Sequence, residues 1–164
     1  MFALAPRKGG SKAELYQELL EQALALLHGE RDPTANAANL ASLLYHTLPN
    51  LNWAGFYWMS AGGLVLGPFQ GKPACVRIAL GKGVCGTAAS ERKTIVVPDV
   101  NEFPGHIACD SASRSEIVVP LMKDVRLFGV LDVDSPDLAR FDSEDALGLE
   151  LLVREFIEAT DLGS

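Results

Sequence analysis

Two apolar segments joined by a short polar turn constrain the fold of this chain more than any other feature. The segments are Ile117–Met122 and Leu127–Val133, and both are rich in residues that favour strands. So short a turn joins neighbouring antiparallel strands, because parallel strands need a long crossover. The aromatic segment Trp53–Met59 is likewise followed by Gly62-Gly63 and a second strand around Leu64–Leu66. The sequence therefore predicts an antiparallel sheet.

Helices flank these strands at both ends of the chain. Ser11 and Glu14 have the spacing of a capping box, and apolar residues follow at helical spacing. Asp32-Pro33 opens a second helix, and Asp142 or Ser143 caps a last one. Because these helices must bury their apolar faces against the sheet, we expect an α+β fold.

Composition and charge exclude several classes of function. The chain has 164 residues with a net charge of −7 and no basic patch, so nucleic acid is not an expected partner. No apolar run approaches the length of a membrane span, and no membrane partner is expected. Three cysteines are an odd number and no export signal precedes them, so we expect a cytoplasmic protein without permanent disulfides. Residues 1–10 are predicted to be a flexible tail and residues 11–164 a single domain.

Cys109 is the first candidate for chemistry. It lies in Pro104–Asp110, ahead of a Ser-rich stretch, and neither helical nor strand periodicity runs through this window. Lone cysteines are often inert core residues, whereas a thiol on a polar loop with carboxylates downstream is typical of a reactive one. We expect Cys109 to be the only thiol beside the acidic residues described below.

The other two cysteines have different settings. Cys85 begins a predicted short helix, where the helix dipole would lower the pKa of a thiol, although the need for a small residue at the turn explains it equally well. Cys75 follows Gly67–Pro73, which is predicted to be a loop able to carry a resolving thiol to its partner. A zinc site made by the cysteines and His106 is disfavoured because the paired spacing is missing. The residues alone do not choose between Cys75 and Cys85 as the resolver.

Three acids form the second candidate feature. Period-two alternation places Asp132 and Asp134 on one face of their strand, together with Phe128. Glu116 would share that face if the connecting turn has an odd number of residues, and would lie on the opposite face if the number is even. Clustered carboxyl groups beside an apolar wall can bind an ammonium group, and one of them can stay protonated as a general acid. The alternative is a set of solvated acids at a sheet edge.

Two aromatic residues could supply the apolar wall. Trp53 and Tyr57 share one face of their strand, where such residues are ordinarily part of the core. They become relevant to function only if the acids and Cys109 line the same cavity.

Five motifs follow one another along the chain: Asn52–Tyr57, Gly67–Cys75, Gly81–Gly86, Pro104–Asp110 and Ser115–Pro120. Taken in their order and spacing, they closely resemble the free methionine-(R)-sulfoxide reductases, which are single-domain members of the GAF fold. The resemblance covers nearly the whole chain beyond the first ten residues, and all three cysteines of that family are present.

The resemblance implies a GAF-like antiparallel sheet covered by helices on both faces, with a closed pocket for one small molecule. It assigns the nucleophile to Cys109, the resolving role to Cys75 and an auxiliary role to Cys85. It places Glu116, Asp132 and Asp134 around free L-methionine-(R)-sulfoxide, with Trp53 and Tyr57 packed on the methylthio end. Glu116 or Asp134 would be the general acid.

The implied reaction needs no metal or organic cofactor, and thioredoxin is the expected reductant. Pairing of terminal helices into a homodimer is a fold-level expectation. A GAF-type domain that senses or binds a small molecule without catalysis is the alternative function, although such domains usually accompany an output domain for which this chain has no room.

Overall fold

The structure is a computed structural model that describes residues 3–4, 9–106 and 110–163. Each of its three long helices begins at a side-chain cap predicted from the sequence. Ser11 and Glu14 form a capping box before the first helix, Asp32 caps the second, and Asp142 caps the last. The helices are α1 Lys12–Leu27, α2 Pro33–Thr47, α3 Gly83–Glu91 and α4 Ser143–Ala159, with a short 3₁₀ helix at Val100–Glu102.

The six strands form one antiparallel sheet in the order β3-β2-β1-β6-β5-β4. The two hairpins that the sequence predicts, β1–β2 and β5–β6, lie side by side at its centre, because β1 also pairs with β6. The strands are β1 Trp53–Ser60, β2 Gly63–Gly71, β3 Arg77–Ile78, β4 Ile95–Val97, β5 Ser115–Lys123 and β6 Arg126–Ser135.

Helices cover both faces of the sheet, as expected. The long helices α1, α2 and α4 form the larger core with the face that carries Phe56, Ile117 and Leu131. The short helix α3 packs on the opposite face, against Val118 and Val130. This second face therefore has only a small cover, which leaves room there for a cavity.

A β-bulge in the β5–β6 hairpin decides which face Glu116 occupies. The turn that joins these strands, Asp124-Val125, has an even number of residues, which by itself would place Glu116 on the far face from Asp134. The pairing shifts by one residue between Leu121 and Met122, so that Glu116 lies directly opposite Asp134. The extra residue in β6 is Phe128, which packs against the larger core on the other face. The prediction that Phe128 shares a face with the two aspartates is therefore wrong.

The predicted loop Gly67–Pro73 is also wrong for most of its length. Strand β2 continues to Gly71, paired with the first residues of β1, so only residues 72–76 lack regular structure. Pro68 is tolerated because β3 pairs with β2 only at Leu64 and Val65, and the outer edge of β2 beyond them has no strand partner among the described residues.

The longest helix, α4, has 17 residues, and none of the described helices is long and apolar enough to span a bilayer.

Candidate functional site

Three neighbouring strands bring the predicted residues together on the sheet face under α3. Trp53 of β1 lies opposite Asp134 of β6, and Asp134 in turn lies opposite Glu116 of β5. Two residues along β6 on the same face, Asp132 lies between Gly55 and Val118. The register of the sheet therefore makes one acidic cluster from residues on two strands, with an aromatic residue beside it.

Glycine at position 55 gives the aromatic residues their room. A Cβ there would lie 2.7 Å from the Trp53 ring and 2.4 Å from Phe69 Cβ, so a larger residue would displace the ring. Trp53 stacks at 5.9 Å on Tyr57 and at 5.3 Å on Phe69, measured between ring centroids. These contacts form a continuous apolar wall next to the acids.

The acidic cluster and two residues of the wall, Trp53 and Tyr57, line one cavity of about 40 Å³. Pro73 and Ala74 close it on one side, and His106, Asp110 and Ser113 close it on another. Of the residues predicted to bind or act on a substrate, Trp53, Tyr57, Cys85, Glu116, Asp132 and Asp134 line this cavity. The interpretation of the acids as a solvated sheet edge is wrong, because Glu116 is 6% and Asp132 is 7% exposed.

Burial holds protons on the acids. It is the main cause that raises the pKa of Glu116 and of Asp134 well above the usual range, and the negative charge of Asp132 raises both further. Burial also raises the pKa of Asp132, but only to about 6. Asp132 is therefore the member of the cluster that ionises first, and Glu116 and Asp134 stay protonated beside it.

The charge on Asp132 has no strong cationic partner. In the part of the chain that the structure describes, no lysine or arginine forms an ion pair with any of the three acids. His106 Nε2 lies 4.0 Å from Glu116 Oε2, but burial lowers the pKa of His106 and keeps it neutral at neutral pH. One carboxyl oxygen of Asp132 is buried without a hydrogen-bond partner. Such a site is arranged for a cationic ligand, since a buried unpaired carboxylate is costly.

Cys85 lies closer to the acids than the sequence analysis expected. Its Sγ atom is 3.9 Å from Glu116 Oε1, so the expectation that no thiol other than Cys109 would lie beside the acids is wrong. Of the two interpretations of Cys85, the one in which the helix lowers the thiol pKa is wrong: burial, followed by the charge of Asp132, raises the pKa of the Cys85 thiol well above the usual value. Cys85 is thus a free, buried and protonated thiol.

Of the two cysteines with predicted redox roles, Cys75 and Cys109, the structure describes only Cys75. Cys75 is half-buried in the irregular segment 72–76 and takes part in a disulfide. The sequence predicts no permanent disulfide, and a redox-active disulfide does not contradict that prediction because it forms and breaks during turnover. Cys109, the predicted nucleophile, lies outside the described residues.

Asn52, for which no role was predicted from the sequence, links the segment that follows Cys109 to the sheet by hydrogen bonds. Asn52 Nδ2 donates hydrogen bonds to Asp110 Oδ2 at 3.1 Å and to Ser113 Oγ at 3.0 Å. The Asn52 backbone N–H also donates to the Asp134 carbonyl. Asn52 belongs to the motif Asn52–Tyr57, but the contact with residues 58 or more positions away appears only in the fold.

The structure offers one arrangement suited to a metal ion among the described residues. One potential ligand atom from each of Cys85, Glu116 and Asp132 lies within 4.8 Å of the others. The zinc site considered from the sequence would use three thiolates and His106, which is a different set of residues. Cys75 is disulfide-bonded and therefore offers no thiolate to such a site.

Comparison with known proteins agrees with the fold. Residues 13–158 match the GAF domain family. The chain is 56% identical over 141 residues to protein YtsP of Bacillus subtilis, covering 85% of this chain and 86% of the relative. It is 50% identical over 145 residues to the free methionine-R-sulfoxide reductase of Escherichia coli, covering 88% of each protein.

A solved structure extends the comparison to three dimensions. The X-ray structure of free methionine-R-sulfoxide reductase from Neisseria meningitidis, in complex with its substrate, superimposes with a TM-score of 0.94. The two sequences are 46% identical, and the superposition covers 99% of this chain and 97% of the other.

The buried acids should make the protein less stable as pH rises. The unfolded chain loses carboxyl protons near pH 4, whereas the folded chain keeps them until the raised pKa values are passed. The free energy of unfolding should therefore fall from about pH 4 to above pH 6. The shift of Asp132 alone corresponds to a loss on the order of 3 kcal/mol. The groups that face Glu116 are Cys85, His106, Asp132 and Asp134.

Urea unfolding of Glu116→Gln across this range is the measurement. The variant should lose less stability than the wild type as pH rises, because it has one buried carboxyl group fewer to ionise. Glu21→Gln, at an exposed position of α1, should follow the wild type. Parallel pH profiles for the wild type and Glu116→Gln would contradict the neutral, buried state of this carboxyl group.

Proposed function

The chain belongs to the GAF-domain family of free methionine-(R)-sulfoxide reductases, and from this premise we propose that it reduces free L-methionine-(R)-sulfoxide to L-methionine. The observation that carries the proposal is the cavity in which three acids without a strong cationic partner, two of them buried and Asp134 half-buried, face an aromatic wall. A free amino acid has an ammonium group for the acids, and methionine sulfoxide has a methylthio end for the wall.

The ionised acid binds the substrate. Asp132 has the lowest pKa of the three and an unpaired oxygen, so it receives the α-ammonium group. Trp53 and Tyr57 contact the methylthio end, which orients the sulfur so that one epimer presents its reactive face to the nucleophile.

The protonated acids serve the chemical step. Cys109 attacks the sulfoxide sulfur as a thiolate, and Glu116 or Asp134 gives a proton to the departing oxygen. The protonated oxygen then passes from the substrate sulfur to the Cys109 sulfur as the S–S bond of this adduct breaks. Methionine leaves with its sulfur reduced, and Cys109 is oxidised to a sulfenic acid. The buried, neutral state of Glu116 and Asp134 supports this assignment.

A second thiol completes the cycle. Cys75 attacks the sulfenic sulfur of Cys109, a disulfide forms and water leaves. An external dithiol, for which we propose thioredoxin, then restores both thiols by exchange. Cys75 is disulfide-bonded and Cys85 is free among the three cysteines of the chain, and this supports Cys75 as the resolver. Cys85 would hold the Glu116 side chain and not enter the exchange.

The proposal extends to the compartment, the domain and the oligomeric state of the protein. The protein would act in the cytoplasm, as one domain spanning residues 11–164, without a metal or organic cofactor. Pairing through the terminal helices into a homodimer is proposed from the fold alone. The alternative, a GAF domain that binds a small molecule without catalysis, predicts no turnover of methionine sulfoxide under any thiol reductant.

Cysteine variants test the order of the thiol steps. Cys109→Ser should abolish reduction even in a single turnover, because the raised pKa of Cys85 keeps that neighbouring thiol protonated and unreactive. Cys75→Ser should release one methionine per protein and then stall with thioredoxin, leaving a sulfenic acid that dimedone traps. Cys85→Ser should keep most of the activity. A stall in Cys85→Ser with normal turnover in Cys75→Ser would reverse the assignment of the resolver.

The pH profile of the first step tests the general acid. The donor must be protonated, so the rate of sulfenic acid formation should fall as pH rises through its raised pKa. Rapid kinetics in the Cys75→Ser background isolates this step. Glu116→Gln and Asp134→Asn should each slow it, and loss of the true donor should cost about 10²–10⁴-fold and remove the fall at high pH. If the rate of sulfenic acid formation in the wild type does not fall at high pH, neither carboxyl group acts as a general acid. The carboxyl groups then have a role in binding only.

Substrate choice tests the ammonium site. N-acetylation removes the positive charge and leaves the Asp132 carboxylate buried without a cation, which should lower kcat/KM roughly tenfold to hundredfold. The S epimer and peptidyl sulfoxides should be reduced poorly as well. Asp132→Asn should lower kcat/KM for the free R sulfoxide. It should also bring the kcat/KM values of the free and the N-acetylated R sulfoxides closer together. Equal kcat/KM for the free and N-acetylated R sulfoxides in the wild type would refute an enclosed site that recognises ammonium.

A further inference from the structure

The irregular segment 72–76, which carries Cys75, is hydrogen-bonded to the sheet at three points. Trp53 Nε1 donates to the Lys72 carbonyl at 3.1 Å, and the Tyr57 hydroxyl donates to the Cys75 carbonyl at 2.9 Å. The backbone N–H of Leu66 donates to the Val76 carbonyl at 2.9 Å. Two of the three donors are therefore side chains of the aromatic wall itself.

These two donors are held firmly in place. Trp53 and Tyr57 are each 2% exposed and stack on one another, and Trp53 also stacks on Phe69. The ring of Trp53 packs so closely on Gly71 that a Cβ at that glycine would lie 2.7 Å from Trp53 Cδ1. A donor on a fixed ring loses little freedom when it binds an acceptor, so its hydrogen bond can restrain a segment that has no strand or helix of its own.

Burial supports the role of the hydroxyl group as a permanent donor. It raises the pKa of Tyr57 far above its usual value, and the charge of Asp132 adds to this effect. The Tyr57 hydroxyl is therefore protonated throughout the pH range in which the protein is expected to work.

We infer that Tyr57 and Trp53 are positioning residues for Cys75, holding the segment 72–76 so that its thiol stays within reach of its disulfide partner. The resolving role of Cys75 rests on the proposed function, whereas the disulfide itself is a feature of the structure. The two hydrogen bonds act on the carbonyls of Lys72 and Cys75, so they restrain the backbone on both sides of Pro73 and Ala74. The residues that line the cavity would thus also favour closure of the disulfide.

The thiol–disulfide equilibrium tests this inference without any methionine sulfoxide. The oxidised protein is equilibrated with reduced and oxidised glutathione, so that one disulfide and two glutathione molecules give two protein thiols and one glutathione disulfide. Alkylation and peptide mass spectrometry then give the fraction of Cys75 that remains in its disulfide. The variants are Tyr57→Phe and Trp53→Phe, which remove a donor and keep an aromatic ring, with Tyr45→Phe on α2 as the matched control.

The expected result is a shift toward the free thiols of roughly threefold to tenfold in each of the two variants, and none in the control, because each loses one hydrogen bond that restrains the segment. An unchanged equilibrium in Tyr57→Phe would overturn the inference, as would an equal shift in Tyr45→Phe. Thermal unfolding of the oxidised variants separates a loss of fold from a loss of positioning.

The two proposals fail in distinguishable ways. If the equilibrium shifts but the wild type does not reduce methionine sulfoxide, the proposed function fails and the positioning role stands. If the wild type reduces the sulfoxide but neither variant shifts the equilibrium, the positioning role fails and the proposed function stands.

Discussion

The clustering of three carboxyl groups, two buried and one half-buried, on one face of a central hairpin is the constraint on which the rest of the site depends. A folded chain tolerates such a cluster only if most of it is protonated or if a cation balances it. Lys82 lines the cavity, but among the described residues no lysine or arginine forms an ion pair with the three acids, and His106 is neutral. The cluster therefore keeps protons on Glu116 and Asp134 and leaves a single ionised member, Asp132, to face the cavity. One cluster of acids thus provides both a negative charge that can bind a cation and carboxyl groups that can donate a proton.

The same burial separates the roles of the cysteines. Cys85 is close enough to Glu116 to interact with it, yet the acids around it raise its pKa and suppress the thiolate. A position at the start of a helix ordinarily activates a thiol, but the helix dipole acts over one turn and is weaker here than desolvation and a neighbouring negative charge. Cys75 lies instead in a segment that has no regular structure of its own and is restrained by the hydroxyl group of Tyr57.

The sequence predicted the elements better than it predicted their alignment. Capping boxes and apolar periodicity are local signals, and the long helices begin where Ser11, Asp32 and Asp142 indicate. The predicted loop after Gly67 fails because pairing with β1 outweighs the local preference of glycine and proline for turns. The proximity of Cys85 to Glu116 could not be predicted either, since it depends on where α3 packs against the sheet.

By itself, the sequence determined that this chain forms an antiparallel sheet with helices on both faces, and it supplied the acids, aromatic residues and thiols of a GAF-type site. The family resemblance implied that Glu116 shares the site with Asp134, but strand periodicity left its face open, and only the tertiary structure decided how Glu116 comes to face the same cavity. Counting residues in the turn gives the wrong face for Glu116, and the bulge that places Phe128 in the opposite core corrects it by one position. The physical reason is that the side-chain period of a strand is two, so a single unpaired residue reverses every side chain beyond it. Such a bulge forms where the packing of both faces favours it, and no local pattern in the sequence records that balance.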